Sequence, residues 1–113
     1  MSENTRPCVM IESPFAAKTL TEKQRKRKYA WEAVVDSEAR GEAPFASHIF
    51  YTEILNDNEP TERQRGFDCH ESWMAVCDYV VVYDDFGISQ GMRWGIEMAF
   101  KLEKPVFCRK ILK

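Results

Sequence analysis

The segment Tyr79-Val80-Val81-Val82-Tyr83 limits the fold more than any other part of the chain. It sets five apolar residues in a row, three of them β-branched, with no alternating polar position, which is the pattern of a strand covered on both faces. Such a strand belongs inside a parallel sheet with helices above and below it. It is followed by Asp84-Asp85-Phe86-Gly87-Ile88-Ser89 and then by a helical stretch from about Gln90 to Leu102, with Ser89 placed to cap the helix.

The rest of the chain repeats this alternation. Residues 8–12, CVMIE, read as a buried strand that ends at Ser13-Pro14. A helix is predicted from about Thr21 to Arg40, with Thr21 and Gln24 spaced as a capping box and Gly41 as its stop. Its buried face is Tyr29, Ala30, Ala33, Val34 and Ser37. Phe45 to Tyr51 read as a second strand containing His48, and the polar stretch 56–60 as an exposed loop. From Thr61 a second helix stacks Phe67, His70, Met74 and Cys77, and Pro105 to Cys108 make a last strand. The predicted order is β-α-β-α-β-α-β, an open α/β parallel sheet of about four to five strands with helices on both faces.

Its 113 residues make about one domain, taken as spanning 1–113. With 44% hydrophobic and 30% charged residues, the composition is that of a globular protein. The formal net charge of −2 lacks the basic excess of a general nucleic-acid binder. No apolar run approaches the roughly 20 residues that span a bilayer, and MSENTRPC has no apolar signal core, so a cytoplasmic protein without membrane partners is expected. Cys8, Cys69, Cys77 and Cys108 contain no Cys-x-x-Cys pair, and they and the two histidines suggest reduced thiols and no metal site. The basic run Lys23 to Lys28 reads as a solvated helix face.

In an open parallel sheet the ligand crevice lies beyond the carboxyl ends of the strands. Ser13, Pro14 and Phe15, the region of His48 and Tyr51, and Asp84 to Met92 would meet there. Asp84 and Asp85 suit either ribose hydroxyls or turn formation. His48 suits either a ligand or a hydrogen-bonded core position. Gly91, Gly95 and Ala99 form a small-residue stripe that lets a helix approach a sheet closely. Neither a Walker pattern nor Gly-x-Gly-x-x-Gly follows any strand, and no Ser or Cys nucleophile has an evident His partner by spacing.

The segments IESPFA, GEAPFASHIFYT, ERQRGFDCHESWMAVCDYVVVY and DDFGISQGMRWGIEMA, followed by KPV, resemble the nucleoside 2-deoxyribosyltransferase-like superfamily. They are most similar to its small members encoded by bacteria and phages. The resemblance implies a flavodoxin-like (Rossmann-like) single domain, a nucleoside or nucleotide ligand, no cofactor, and a homo-oligomer. It assigns ligand contacts to Ser13, Pro14, Phe15, Asp84, Asp85, Gly87, Ser89, Gly91 and Met92, to which His48, Tyr51, Arg63 and Arg93 are added as candidates. Enzymes of the superfamily attack the anomeric carbon with a glutamate on the helix after the third strand, and the corresponding position here is Gly95. Glu97 is the nearest acid, but two residues along a helix turn a side chain by about 200°. Two functions follow. One is capture of a nucleotide-type ligand, such as a cyclic ADP-ribose-type or cyclic-nucleotide immune signal, without turnover. The other is transfer or hydrolysis at an N-glycosidic bond, with Glu97 and Asp85 as the catalytic acids.

Overall fold

The structure is a computed structural model and describes residues 4–111. Its elements run β1 (Cys8–Glu12), α1 (Leu20–Ala39), β2 (Ala43–Phe45), α2 (Ser47–Tyr51), α3 (Pro60–Val76), β3 (Tyr79–Tyr83), α4 (Gln90–Lys101) and β4 (Val106–Arg109). The strands form one parallel sheet in the order β2-β1-β3-β4. This is the α/β architecture anticipated from the strand and helix alternation, with four strands.

Strand β3 lies between β1 and β4, and its lack of alternation has the cause inferred above. Val81 and Tyr83 pack with Val9 and Ile11 beneath Tyr29, Ala30 and Ala33 of α1. Val80 and Val82 face the other side, joining Met10, Met74 of α3, and Met92 and Ala99 of α4. All three valines are fully buried, and burying one such side chain is worth about 1.5–3 kcal/mol. Helix α1 therefore covers one face of the sheet, while α3 and α4 cover the other.

The helix ends are set by local chemistry. Thr19, two residues before the expected cap, accepts from the Glu22 amide at 3.1 Å and starts α1. Gly41 follows the helix with φ +92°, a left-handed turn that glycine adopts without steric cost. Glu59 caps α3 through the amides of Thr61 and Glu62, with Pro60 in the first turn, where no amide donor is missed. Ser89 accepts from the Met92 amide at 3.2 Å and caps α4 as anticipated.

Residues 45–51 depart from the sequence expectation. Only Ala43–Phe45 is strand, and it is an edge strand, where Pro44 is tolerated. From Ser47 the chain coils into α2. A strand would send Ser47 and Ile49 to one face and His48 to the other. The helical turn instead lets Ile49 join the core beneath α1 and leaves both Ser47 and His48 with side-chain partners across the cleft. The Thr52 hydroxyl, donating to the His48 carbonyl at 2.8 Å, closes the turn.

Polar groups lock the α1 side. The buried Glu42 carboxylate accepts from Arg109 Nη1 (2.8 Å) and Nη2 (3.1 Å), Ser37 Oγ (2.7 Å) and the Tyr79 hydroxyl (2.5 Å). Arg109 also donates to the Tyr83 hydroxyl at 3.0 Å, and that hydroxyl donates to Asp36 at 2.7 Å. The network ties α1 to β2, β3 and β4. The Arg109 hydrogen bonds outweigh burial and hold the Glu42 carboxyl down at about 2.

Because that value is depressed from 4.5, the ion pair's stabilisation is present above pH 4.5 and is lost as pH falls toward 2. Arg109→Ala leaves the carboxylate with only the Ser37 and Tyr79 hydroxyls, with an expected loss of about 3 kcal/mol or more at neutral pH. Urea denaturation should show the gap from wild type narrowing between pH 4.5 and the acid limit.

Candidate functional site

The strand order sets the crevice. From β1 the chain moves to β2 on one side and later to β3 on the other, so the reversal falls between β1 and β3, beyond their carboxyl ends. There the residues after β1, helix α2, the middle of α3 and the start of α4 enclose a cavity of about 140 Å³. Its polar walls include Glu12, Ser13, Ser47, His48, His70 and the charged Asp57 and Arg63, and its aromatic walls are Phe15, Tyr51, Phe67 and Trp94. Phe67 and Trp94 stack with centroids 4.6 Å apart, and the Arg63 guanidinium lies 5.3 Å from the centre of the Phe67 ring.

The centre of the site is Glu12, the last residue of β1, which is buried. Its Oε2 lies 2.6 Å from His70 Nε2, and Nδ1 of the same imidazole is hydrogen-bonded to Ser47 Oγ. A carboxylate only accepts, so the tautomer that satisfies all three groups has Nε2–H donating to Glu12 and Ser47 O–H donating to Nδ1. His70 comes from α3 and Ser47 from α2, so three elements hold one carboxylate in place. Oε1 accepts no hydrogen bond from another described residue and is not sealed from the cavity.

Gly95 explains how a carboxylate fits there. A Cβ at this position would lie 2.5 Å from Glu12 Cδ and Oε2, and 2.6 Å from Oε1, well inside contact distance. The space that a side chain on α4 would enter is occupied by an acid arriving from β1. Gly91 differs from Gly95 and from the close packing its place in the small-residue stripe suggested. A Cβ there would meet nothing within 4 Å, and the residue simply borders the cavity.

The second histidine has another character. His48 Nε2 lies 2.7 Å from Ser13 Oγ, and its ring meets Phe15 edge-on at 5.8 Å. Burial, with a smaller push from His70, lowers its pKa to about 3. It therefore stays neutral at physiological pH and serves as a hydrogen-bonding group rather than a cation.

Of the residues singled out from sequence, Ser13, Phe15, His48, Tyr51, Arg63, Ser89, Gly91 and Met92 all border this cavity. Pro14 borders an adjacent recess that shares Ser89. Asp84 and Asp85 lie outside the cavity lining: Asp84 pairs with Lys110 at 2.8 Å, and Asp85 accepts from the Tyr29 hydroxyl at 2.5 Å and the Ile111 amide at 2.9 Å. Gly87 makes the turn after β3 with φ +84°, its amide bonded to the Asp84 carbonyl at 2.9 Å. Arg93 and Glu97 are exposed on α4 and do not line the cavity. Two acids do line it, Glu12 and Asp57; in the sequence Glu12 and its partner His70 read only as the end of a strand and one position in a helix stripe, and Asp57 as part of the exposed stretch 56–60. The available signal was an acid closing an otherwise apolar strand directly before Ser-Pro.

The four cysteines are unbridged, and among the described residues no group of three or more His, Cys, Asp or Glu side chains is arranged to hold a metal. No helix among them is long and apolar enough to cross a membrane.

Gly95→Ala should expel the Glu12 carboxylate from its seat and break its bond to His70. The expected cost is about 1–3 kcal/mol in denaturant, with the α/β circular dichroism spectrum retained. A crystal structure of the variant with Glu12 unmoved would contradict this packing.

No curated protein sequence matches the chain significantly. Among solved structures it is similar to a 2-deoxyribosyltransferase from the bacterium Bacillus psychrosaccharolyticus, with a TM-score of 0.63 and 17% identity, over 91% of this chain and 72% of that one. That likeness supports the nucleoside deoxyribosyltransferase-type, Rossmann-like fold. A family profile matches residues 7–109, and the chain belongs to the family described as a domain of unknown function, DUF7768.

Proposed function

We propose that the protein acts on the N-glycosidic bond of a nucleoside-type ligand, with Glu12 as the carboxylate that meets the anomeric carbon. The observation that carries this reading is the Glu12 carboxylate at the cavity wall, one oxygen fixed by His70 and the other open, over a glycine that makes room for it. Capture without turnover rested on the missing acid at position 95. The seat against Gly95 is filled by Glu12, so that reason no longer favours capture over chemistry.

The geometry suits the reaction. Cleavage of a glycosidic bond passes through an oxocarbenium-like state, which a fixed anion stabilises and then traps. Oε1 forms a bond to C1′ as the C1′–N bond breaks, and the electron pair goes to the base nitrogen, which takes a proton from water. A second base or a water molecule then displaces the sugar from Glu12. The Ser47-His70 chain prevents the carboxylate from rotating away. Phe15, Phe67 and Trp94 offer flat apolar surface to a base, and His48 with Ser13 offers neutral hydrogen bonding. The fold alone would not justify this conclusion, since one fold hosts many activities; the placement of the carboxylate supplies the argument.

The test is release of free base from a panel of 2′-deoxynucleosides and their 5′-monophosphates, followed by chromatography. Glu12→Gln keeps the side-chain shape and should lower turnover about a thousandfold or more. Glu97→Gln should leave it near the wild-type rate. Absence of base release from every substrate, or full activity in Glu12→Gln, would refute the assignment.

A further inference from the structure

The basic run of α1 is the one sequence motif that the proposed reaction leaves without a role. The first half of α1 lies beside the cavity mouth, because the helix follows the loop after β1. Lys26 donates from Nζ to the Ala16 carbonyl and so braces that loop. Arg27 pairs with Glu53. Arg25 makes no ion pair or hydrogen bond among the described residues, yet it borders a recess of about 300 Å³ together with Pro14, Lys26, Tyr29, Phe86 and Ser89. This recess meets the main cavity at Ser89, which lines both.

The acids nearest the recess keep their charge, and their hydrogen bonds go to groups other than Arg25. Asp84 is paired with Lys110, Asp85 is bonded to Tyr29 and the Ile111 amide, and Glu22 accepts from the Lys18 amide. The Ser89 oxygen accepts from the Met92 amide, which leaves its hydroxyl proton to donate. A guanidinium, an ammonium and a hydroxyl donor thus border one concave space next to the aromatic-walled main cavity. In a deoxyribose, the 5′ carbon lies across the ring from C1′. The Ser89 wall common to both spaces is the route by which a 5′ substituent on a sugar in the cavity would meet the recess.

We infer that this recess is a phosphate subsite and that the preferred ligand is a nucleoside 5′-phosphate, its phosphate held by Arg25, Lys26 and Ser89. The inference rests on the nucleoside reading of the main cavity and names the substrate class for it. A guanidinium can hold two phosphate oxygens at once, which a solvated lysine on a free helix face does not do.

Two measurements separate this inference from the reaction itself. The first compares kcat/KM for a 2′-deoxynucleoside and its 5′-monophosphate. The wild type should prefer the monophosphate by about tenfold or more, Arg25→Gln should bring the ratio close to unity, and Arg25→Lys should restore part of it. The second uses Glu12→Gln, which binds without turning over, and reads the rise in melting temperature with each ligand. The monophosphate should stabilise it more than the nucleoside, and Arg25→Gln in that background should erase the difference. Equal treatment of the two ligands by the wild-type and Glu12→Gln proteins, or an unchanged ratio in Arg25→Gln, would overturn the subsite. Base release without phosphate preference would leave the reaction standing and remove only the subsite, whereas phosphate-dependent stabilisation without base release would do the reverse.

Discussion

A carboxylate at the end of a buried strand must be paired, because an isolated charge in that setting costs several kcal/mol. Glu12 meets this requirement with a single imidazole, and much of the cavity follows from it. His70 must project from α3 at the level of β1, Ser47 must reach the far nitrogen of the ring, and α4 must present a residue without a side chain where the carboxylate lies. These demands fix the relative placement of α2, α3 and α4 around the end of β1. They also account for α2 being helical, since the coil is what brings Ser47 onto His70 and His48 onto Ser13.

The opposite side of the sheet solves the same problem differently. Glu42 is buried as well, but it is met by a guanidinium and two hydroxyls, so its four hydrogen bonds leave it with no chemistry to perform. Glu12 has one fixed oxygen and one open oxygen. The contrast separates an acid held at both oxygens from the one proposed to react, by what each oxygen touches. It matches position too, since Glu42 is covered by α1 and strand side chains, while Glu12 opens where the strand order reverses.

Much of the architecture was legible in the sequence because it depends on local pattern. The unbroken apolar run 79–83, the Ser89 cap and the stripe Tyr29, Ala30, Ala33 and Ser37 each state their environment within a few residues. The cavity walls Ser13 and Phe15 were legible as residues just past a strand end, whereas His48 and Tyr51 were expected on a strand and reach the cavity from helix α2. The acid was not legible. Glu12 gains its role from His70, 58 residues away, and from a glycine on α4, and neither relation leaves a periodic trace. The glycine itself was visible as an interruption where the resemblance places a glutamate, but a missing side chain does not reveal what fills its space. Asp84 and Asp85 show the other side of this: a strand-end acid pair resembles a sugar-binding pair, while the fold sets both outside the cavity lining and engages them with Lys110, Tyr29 and the Ile111 amide.

The central claim is that the reactive carboxylate comes from β1. It is tested most directly by acid quenching during turnover of a 2′-deoxynucleoside or its 5′-monophosphate, followed by proteolysis and peptide mass analysis. The account predicts one deoxyribosyl unit, phosphorylated where the substrate was, attached to the peptide at Glu12. An adduct on Glu97 or another acid, or turnover with no adduct at Glu12 under any quench, would contradict it.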